Sequence, residues 1–131
     1  MEKFLAFINS CDPVLAKEAI CEDAIFYAPT SPEPLRGPEG YVETVKFMRS
    51  GFSDIQWAII QSVKEGDKIA VYWSLTGTHD GTFMGVPPTG RKIQGRSMCI
   101  YEFKDGKILK ETGIPDIFGI LQQIGGIPSP Q

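Results

Sequence analysis

An α+β fold, a long antiparallel sheet with one face covered by N-terminal helices, is what this sequence predicts, on three observations. Apolar residues recur at helical spacing in the first third of the chain. From Ser53 onward they recur at a spacing of two, which is the period of a strand. Between two of those strand-like runs lies "HDGTFMGVPPTG", His79 to Gly90, which carries the chain's single histidine, two adjacent prolines and three glycines. A plain hairpin needs only a turn of about two to five residues, so this stretch is a built connection. At 131 residues the chain fits one domain, large enough to bury about two-thirds of its unfolded surface without disulfides or metals.

The elements follow in order. In residues 2–20, Phe4, Leu5, Ile8, Val14, Leu15 and Ile20 lie at helical spacing, and Asp12-Pro13 breaks the run into two short helices, the second capped by Asp12. Ala24 to Ala28 alternate as a short strand that ends in a proline-rich turn. Pro38 then opens a third helix with Tyr41, Val45 and Met48 along one side and Gly51 as its stop. Ile55, Trp57, Ile59 and Val63 give the first long strand, and Ile69, Val71, Trp73 and Leu75 the second, joined through "EGDK". "RKIQGRSMCIYEFK" and "ILKETGIPD" are the third and fourth, joined by "DGK", before the short apolar helix "IFGILQQIG". Residues 125–131 read as a flexible tail of this single domain, 1–131.

Composition excludes several classes. A hydrophobic fraction of 42% with 22% charged residues is that of an ordinary globular protein, which removes disordered and fibrous chains. With a net charge of -3 and no basic stripe, no nucleic-acid partner is expected. No segment nears the roughly 18 apolar residues of a membrane helix, no signal peptide is legible, and Cys11, Cys21 and Cys99 show no CxxC, so a cytoplasmic location is expected.

The run "GTHDGTFMGVPPTGRKI" and the ending "YEFKDGKILKETGIPDIFGILQQIG" resemble the SnoaL-like polyketide cyclase, or ester cyclase, family of the NTF2-like superfamily. The resemblance implies a cone-shaped α+β barrel, a strongly curved antiparallel sheet with the N-terminal helices over its concave face and a hydrophobic pocket, and dimers or larger oligomers built on the outer face of the sheet; Tyr72, Met98 and Ile100 on one strand face predict a homodimer through it. It also carries the family's general acid/base role onto Asp116, just before the last helix. The N-terminal half agrees with the family only in element order and hydrophobic pattern, and the chain departs from it ahead of that aspartate. Where members often read E-H-W-x-x-x-D, it has "KETGIPD", so that Glu111 and Thr112 stand for the usual histidine and tryptophan.

Two readings of Asp116 stay open on the residues alone: a pocket carboxylate that moves a proton, or the N-cap of the helix that begins at Ile117. His79 falls on the same face as Val71, Trp73 and Leu75, either as a polar partner at the cavity mouth or as a residue that caps the connection. Trp57, Trp73, Phe83, Met84 and Phe118 are the expected apolar lining of the pocket. Glu102, Lys110 and Glu111 read as solvated strand residues. No metal and no cofactor are expected, since a lone histidine supplies no multi-histidine site. The functional expectation is a cofactor-independent acid/base enzyme (cyclase, isomerase or hydratase) acting on a small apolar carbonyl or ester compound. The alternative is a non-catalytic small-ligand-binding or oligomerisation domain.

Overall fold

The computed structural model describes residues 1–27 and 32–128. Helices α1 (Glu2–Ser10) and α2 (Pro13–Ala19) form the N-terminal hairpin. Cys11 ends α1 in the left-handed region, and the Asp12 carboxylate accepts from the Val14 N–H at 2.9 Å, with Pro13 preset for the first turn of α2. Strand β1 (Ile20–Tyr27) follows directly, and Ala28, expected within it, lies outside the described residues. After the two-residue strand β2 (Leu35–Arg36), helix α3 (Gly37–Gly51) spans the stretch from Pro38 to the glycine stop. The strands β3 (Gln56–Glu65), β4 (Lys68–Thr78), β5 (Lys92–Lys104) and β6 (Lys107–Pro115) form the meander, and α4 (Ile117–Gln123) ends it. The β5–β6 turn has positive φ at both Asp105 and Gly106, as a tight primed hairpin turn requires.

The sheet is curved, open and six-stranded, in the order β2-β1-β6-β5-β4-β3. It is also mixed, which corrects the expectation of a wholly antiparallel sheet: β1 lies parallel to β6, with Phe26 opposite Glu111. Alternation along β1 reveals a strand but not its partner, and parallel neighbours need a long crossover, supplied here by α3 and the meander.

Two bulges in the meander set which of its side chains point inward. Ile59 pairs with Trp73 and Gln61 with Tyr72, so Ile60 is an extra residue in β3. Glu102 pairs with Lys110 and Phe103 with Ile108, so Leu109 is an extra residue in β6. One added residue exchanges the two faces for everything beyond it. Val63, expected on the inner face, is accordingly 61% exposed.

Two apolar clusters fill the concave side. The larger joins Phe4, Phe7 and Val45 from the helices to Val71, Trp73 and Tyr101 from the sheet. The smaller, toward α4, holds Phe52, Ile55, Leu75, Phe83, Ile93 and Ile120. Each such side chain contributes roughly 1.5–3 kcal/mol by leaving water. Trp57 packs against both clusters, and the cavity described next lies where they meet. Among the described residues no helix is long and apolar enough to cross a membrane.

Candidate functional site

The inner face of β5 presents Tyr101, Cys99 and Ser97, and that of β6 presents Glu111, Gly113 and Pro115, directly opposite in register. From α3, Tyr41, Thr44 and Met48, one helical turn apart, descend onto these residues. Of these, Tyr41, Thr44, Met48, Ser97, Glu111, Gly113 and Pro115 line a cavity of about 120 Å³ whose walls also include Trp57, Leu75 and Ile120. Gly113 keeps its floor open: a Cβ there would meet Cys99 Sγ at 2.9 Å.

Glu111 is the carboxylate of this chamber and is 8% exposed. The Tyr41 hydroxyl donates to it, at 3.1 Å from Oε2 and 3.3 Å from Oε1. Burial pushes the Glu111 carboxyl up to about 7, while the hydroxyls of Tyr101 and Tyr41 pull it back by favouring the charged form. Both phenols are themselves held well above the ordinary tyrosine range, first by burial and then by the neighbouring Glu111 charge, so both stay protonated as donors. Trp73 Nε1–H donates to the Tyr101 oxygen at 2.9 Å, which turns the Tyr101 proton away from the indole. Burial also lifts the Cys99 thiol to about 11, leaving it neutral beside the carboxyl. The result is one proton-exchanging group near neutrality in an apolar chamber, held by neutral donors.

The expected solvation of Glu111 is corrected by the bulge at Leu109. Counted by twos from the buried Ile108, position 111 falls on the outer face; the extra residue returns it to the inner one. Glu102 and Lys110 do lie outside and face each other at 4.0 Å.

Asp116 is placed at the N-terminus of α4, exposed, with its carboxylate accepting from the Gly119 N–H at 2.9 Å. That is the capping geometry, and Asp116 does not line the cavity. His79 is fully buried away from it, ringed by the connection it opens. Its Nδ1 faces the Thr89 N–H at 3.2 Å and Thr89 Oγ1 at 2.9 Å, which assigns the ring proton to Nε2. The Phe52 ring packs on the imidazole at 5.5 Å between centroids.

The whole connection closes the end of the molecule near α3. The N–H groups of Asp80 and Gly81 both bond the Gly51 carbonyl, and the Asp80 carboxylate accepts from the Ser53 N–H and hydroxyl. Phe83 inserts against Phe52 at 5.0 Å and Phe47 at 5.6 Å, on a tight turn through Met84 and Gly85 that have positive φ. Of the expected lining, Trp57 borders the cavity; Trp73 and Phe83 are core, and Met84 and Phe118 are exposed. Tyr41, Ser97 and Glu111 were not among the expected site residues. Tyr41 and Met48 on one side of α3 were the legible signal.

The family model described as SnoaL-like polyketide cyclase matches residues 1–124. The chain belongs to the SnoaL-like polyketide cyclase family. Among its SnoaL-like relatives is the aklanonic acid methyl ester cyclase DnrD of Streptomyces peucetius, 32% identical over 92 residues, covering 70% of this chain and 63% of DnrD. The nogalonic acid methyl ester cyclase of Streptomyces nogalater is 31% identical over 90 residues, covering 68% of this chain and 67% of that relative. The SnoaL-like fold recurs in the crystal structure of IdmH from Streptomyces antibioticus, with a TM-score of 0.84 at 30% identity over 95% of this chain and 94% of IdmH. Among the described residues, no three His, Cys, Asp or Glu side chains converge as a metal site would require.

Proposed function

We propose that this chain is a cofactor-independent acid/base enzyme, a cyclase, acting on a small apolar carbonyl or ester compound, with Glu111 as the group that moves the proton. The observation that carries the reading is a buried carboxyl, raised to about 7, opening into an apolar cavity between two phenol donors. A base of that strength is matched to work near neutrality. Ionised Glu111 takes a proton from carbon beside a carbonyl; the carbanion forms a bond to a second carbonyl carbon of the same molecule; Glu111 returns the proton to the new alkoxide. One C–H bond and one carbonyl π bond give way to one C–C and one O–H bond, with no net change of protons or electrons. Tyr41 and Tyr101 hold the carboxylate and soften its charge. In this reading Asp116 caps α4 and His79 closes the connection.

The test is deuterium incorporation from D2O into acetonylacetone, a linear diketone, together with its closure to a five-membered ring. Glu111→Gln should lose about 10²–10⁴-fold in rate, while Asp116→Asn, which keeps the capping oxygen, should stay within about twofold. Loss on Asp116→Asn with retention on Glu111→Gln overturns the assignment. Binding without exchange by the unaltered protein favours the non-catalytic ligand-binding alternative.

We also infer a homodimer through the outer sheet face. In register across that face lie Tyr72, Met98 and Ile114, with Ile100 beside them; Met98, Ile100 and Ile114 are 55%, 54% and 72% exposed. A contiguous apolar strip of this kind favours a self-complementary contact. Light scattering should give twice the 14.5 kDa chain mass, and Met98→Lys with Ile114→Lys should halve it. A monomer for the unaltered protein refutes the inference.

A further inference from the structure

The size and hydroxyl inventory of the Glu111 cavity bear on which compounds it admits. Its volume is about 120 Å³, well below the roughly 300–1,000 Å³ usual for ligand pockets. An engineered apolar cavity of roughly 150 Å³ accommodates a single benzene ring. The limits here are set by large side chains from different elements: Met48 from α3, Trp57 from β3, Leu75 from β4 and Ile120 from α4. Leu75 and Ile120 are buried in the smaller cluster, so the inner wall is backed by packed core.

The hydroxyl protons around the chamber are mostly committed. Tyr41 donates to Glu111, and Thr44 Oγ1 donates to the Gly40 carbonyl at 3.2 Å. Ser97 Oγ has only the Cys99 sulfur, a weak partner, at 3.4 Å. It stands on β5 opposite Pro115, on the wall shared with Glu111 and Gly113. A carbonyl oxygen entering the chamber therefore meets one hydroxyl free to turn toward it.

We propose that this site takes a single-ring or short-chain carbonyl compound, anchored by the Ser97 hydroxyl, and excludes fused multi-ring compounds, with Met48 and Trp57 setting the limit. The inference deepens the reading of Glu111 as the proton-moving group and rests on it. Ser97 donates to the carbonyl oxygen, which orients the adjacent C–H bond toward the Glu111 carboxylate.

The experiment is an amide NMR titration of the full chain with cyclohexanone, tetralone and anthrone, ketones of one, two and three rings, read at Leu75, Gly113 and Ile120. Cyclohexanone should shift these resonances saturably and anthrone should not. Met48→Ala, confirmed as folded by its own amide spectrum, should strengthen tetralone binding at least tenfold; Trp57→Phe is a milder second enlargement with the same expected direction. Ser97→Ala should weaken cyclohexanone about tenfold without changing the ranking by ring number, and Ser97→Thr should restore part of the loss. Anthrone binding as tightly as cyclohexanone, or no ketone shifting these resonances, overturns the proposal. Glu111→Gln keeps the ranking if the cavity argument is right; if it also keeps full deuterium exchange into cyclohexanone, the acid/base reading alone fails.

Discussion

The connection from His79 to Gly90 and the chamber around Glu111 each bury an ionisable side chain, and they handle it in opposite ways. In the connection, the imidazole faces Thr89 with one nitrogen while Nε2, buried, has no hydrogen-bond partner. Close backbone packing holds it: a Cβ on Gly81 would lie 1.9 Å from the Ser50 carbonyl oxygen. In the chamber, the carboxyl borders a cavity and is met by phenol hydroxyls that favour its charged form against the cost of burial. The first arrangement fixes a loop; the second leaves room for a ligand and keeps a proton exchangeable. Burial of a polar group therefore does not identify a reactive site by itself. Adjoining space, and donors that stabilise the charged form, distinguish the two.

The comparison breaks most sharply at Gly81. Gly81→Ala forces backbone against backbone, and we expect a loss of about 3 kcal/mol or more, toward the upper end for overpacking, measured by urea denaturation. Near-unaltered stability would mean that the connection does not clamp α3 in solution.

Glu111→Gln should act in the other direction. The carboxyl is raised from 4.5 to about 7 on folding, so the folded state binds more protons than the unfolded one between those values. Stability from this group is fully present below about pH 4.5, falls as pH rises toward 7, and is level above it. At about 1.4 kcal/mol per tenfold change in proton affinity, the full difference is roughly 3 kcal/mol. The Gln variant should therefore gain on the unaltered protein by up to that amount at pH 8 relative to pH 4, in paired denaturation curves. A gain independent of pH would contradict a buried, raised carboxyl.

Tyr41→Phe is the gentlest probe. It removes a donor to the carboxylate, so the Glu111 midpoint should move further up, with a stability cost of about 1 kcal/mol, read from carboxyl carbon NMR against pH. A downward movement would mean that the phenol favours the neutral acid.

Much of this was legible in the residues. The Asp12 cap, the span of α3, the meander and the placing of His79 on the face of Val71 and Trp73 all follow from local chemistry and alternation, whereas its complete burial depends on the packing of the connection against α3. What was not legible depends on register. The extra residue at Leu109 inverts the inner and outer sets of β6, and no local signal in "KILKETG" marks it. By alternation Glu111 therefore reads as solvated, and the acid/base role falls on Asp116, which fits a recognisable motif. The parallel seating of β1 on β6 is likewise a tertiary choice, invisible to propensity.

That seating also orders events during synthesis. Tyr41 and Glu111 are 70 residues apart, and β6 is what bridges β1 to the meander. Until β6 leaves the ribosome, β1 has no strand to join it to the meander, and Phe26 awaits a neighbour made by a later part of the chain. Such long-range closure is slow compared with hairpin formation and leaves strand edges open in the meantime. The carboxyl enters its low-dielectric surroundings only at that last docking, so the chamber is a late product of folding, and a nascent chain stalled before β6 carries α1, α2 and α3 but not Glu111.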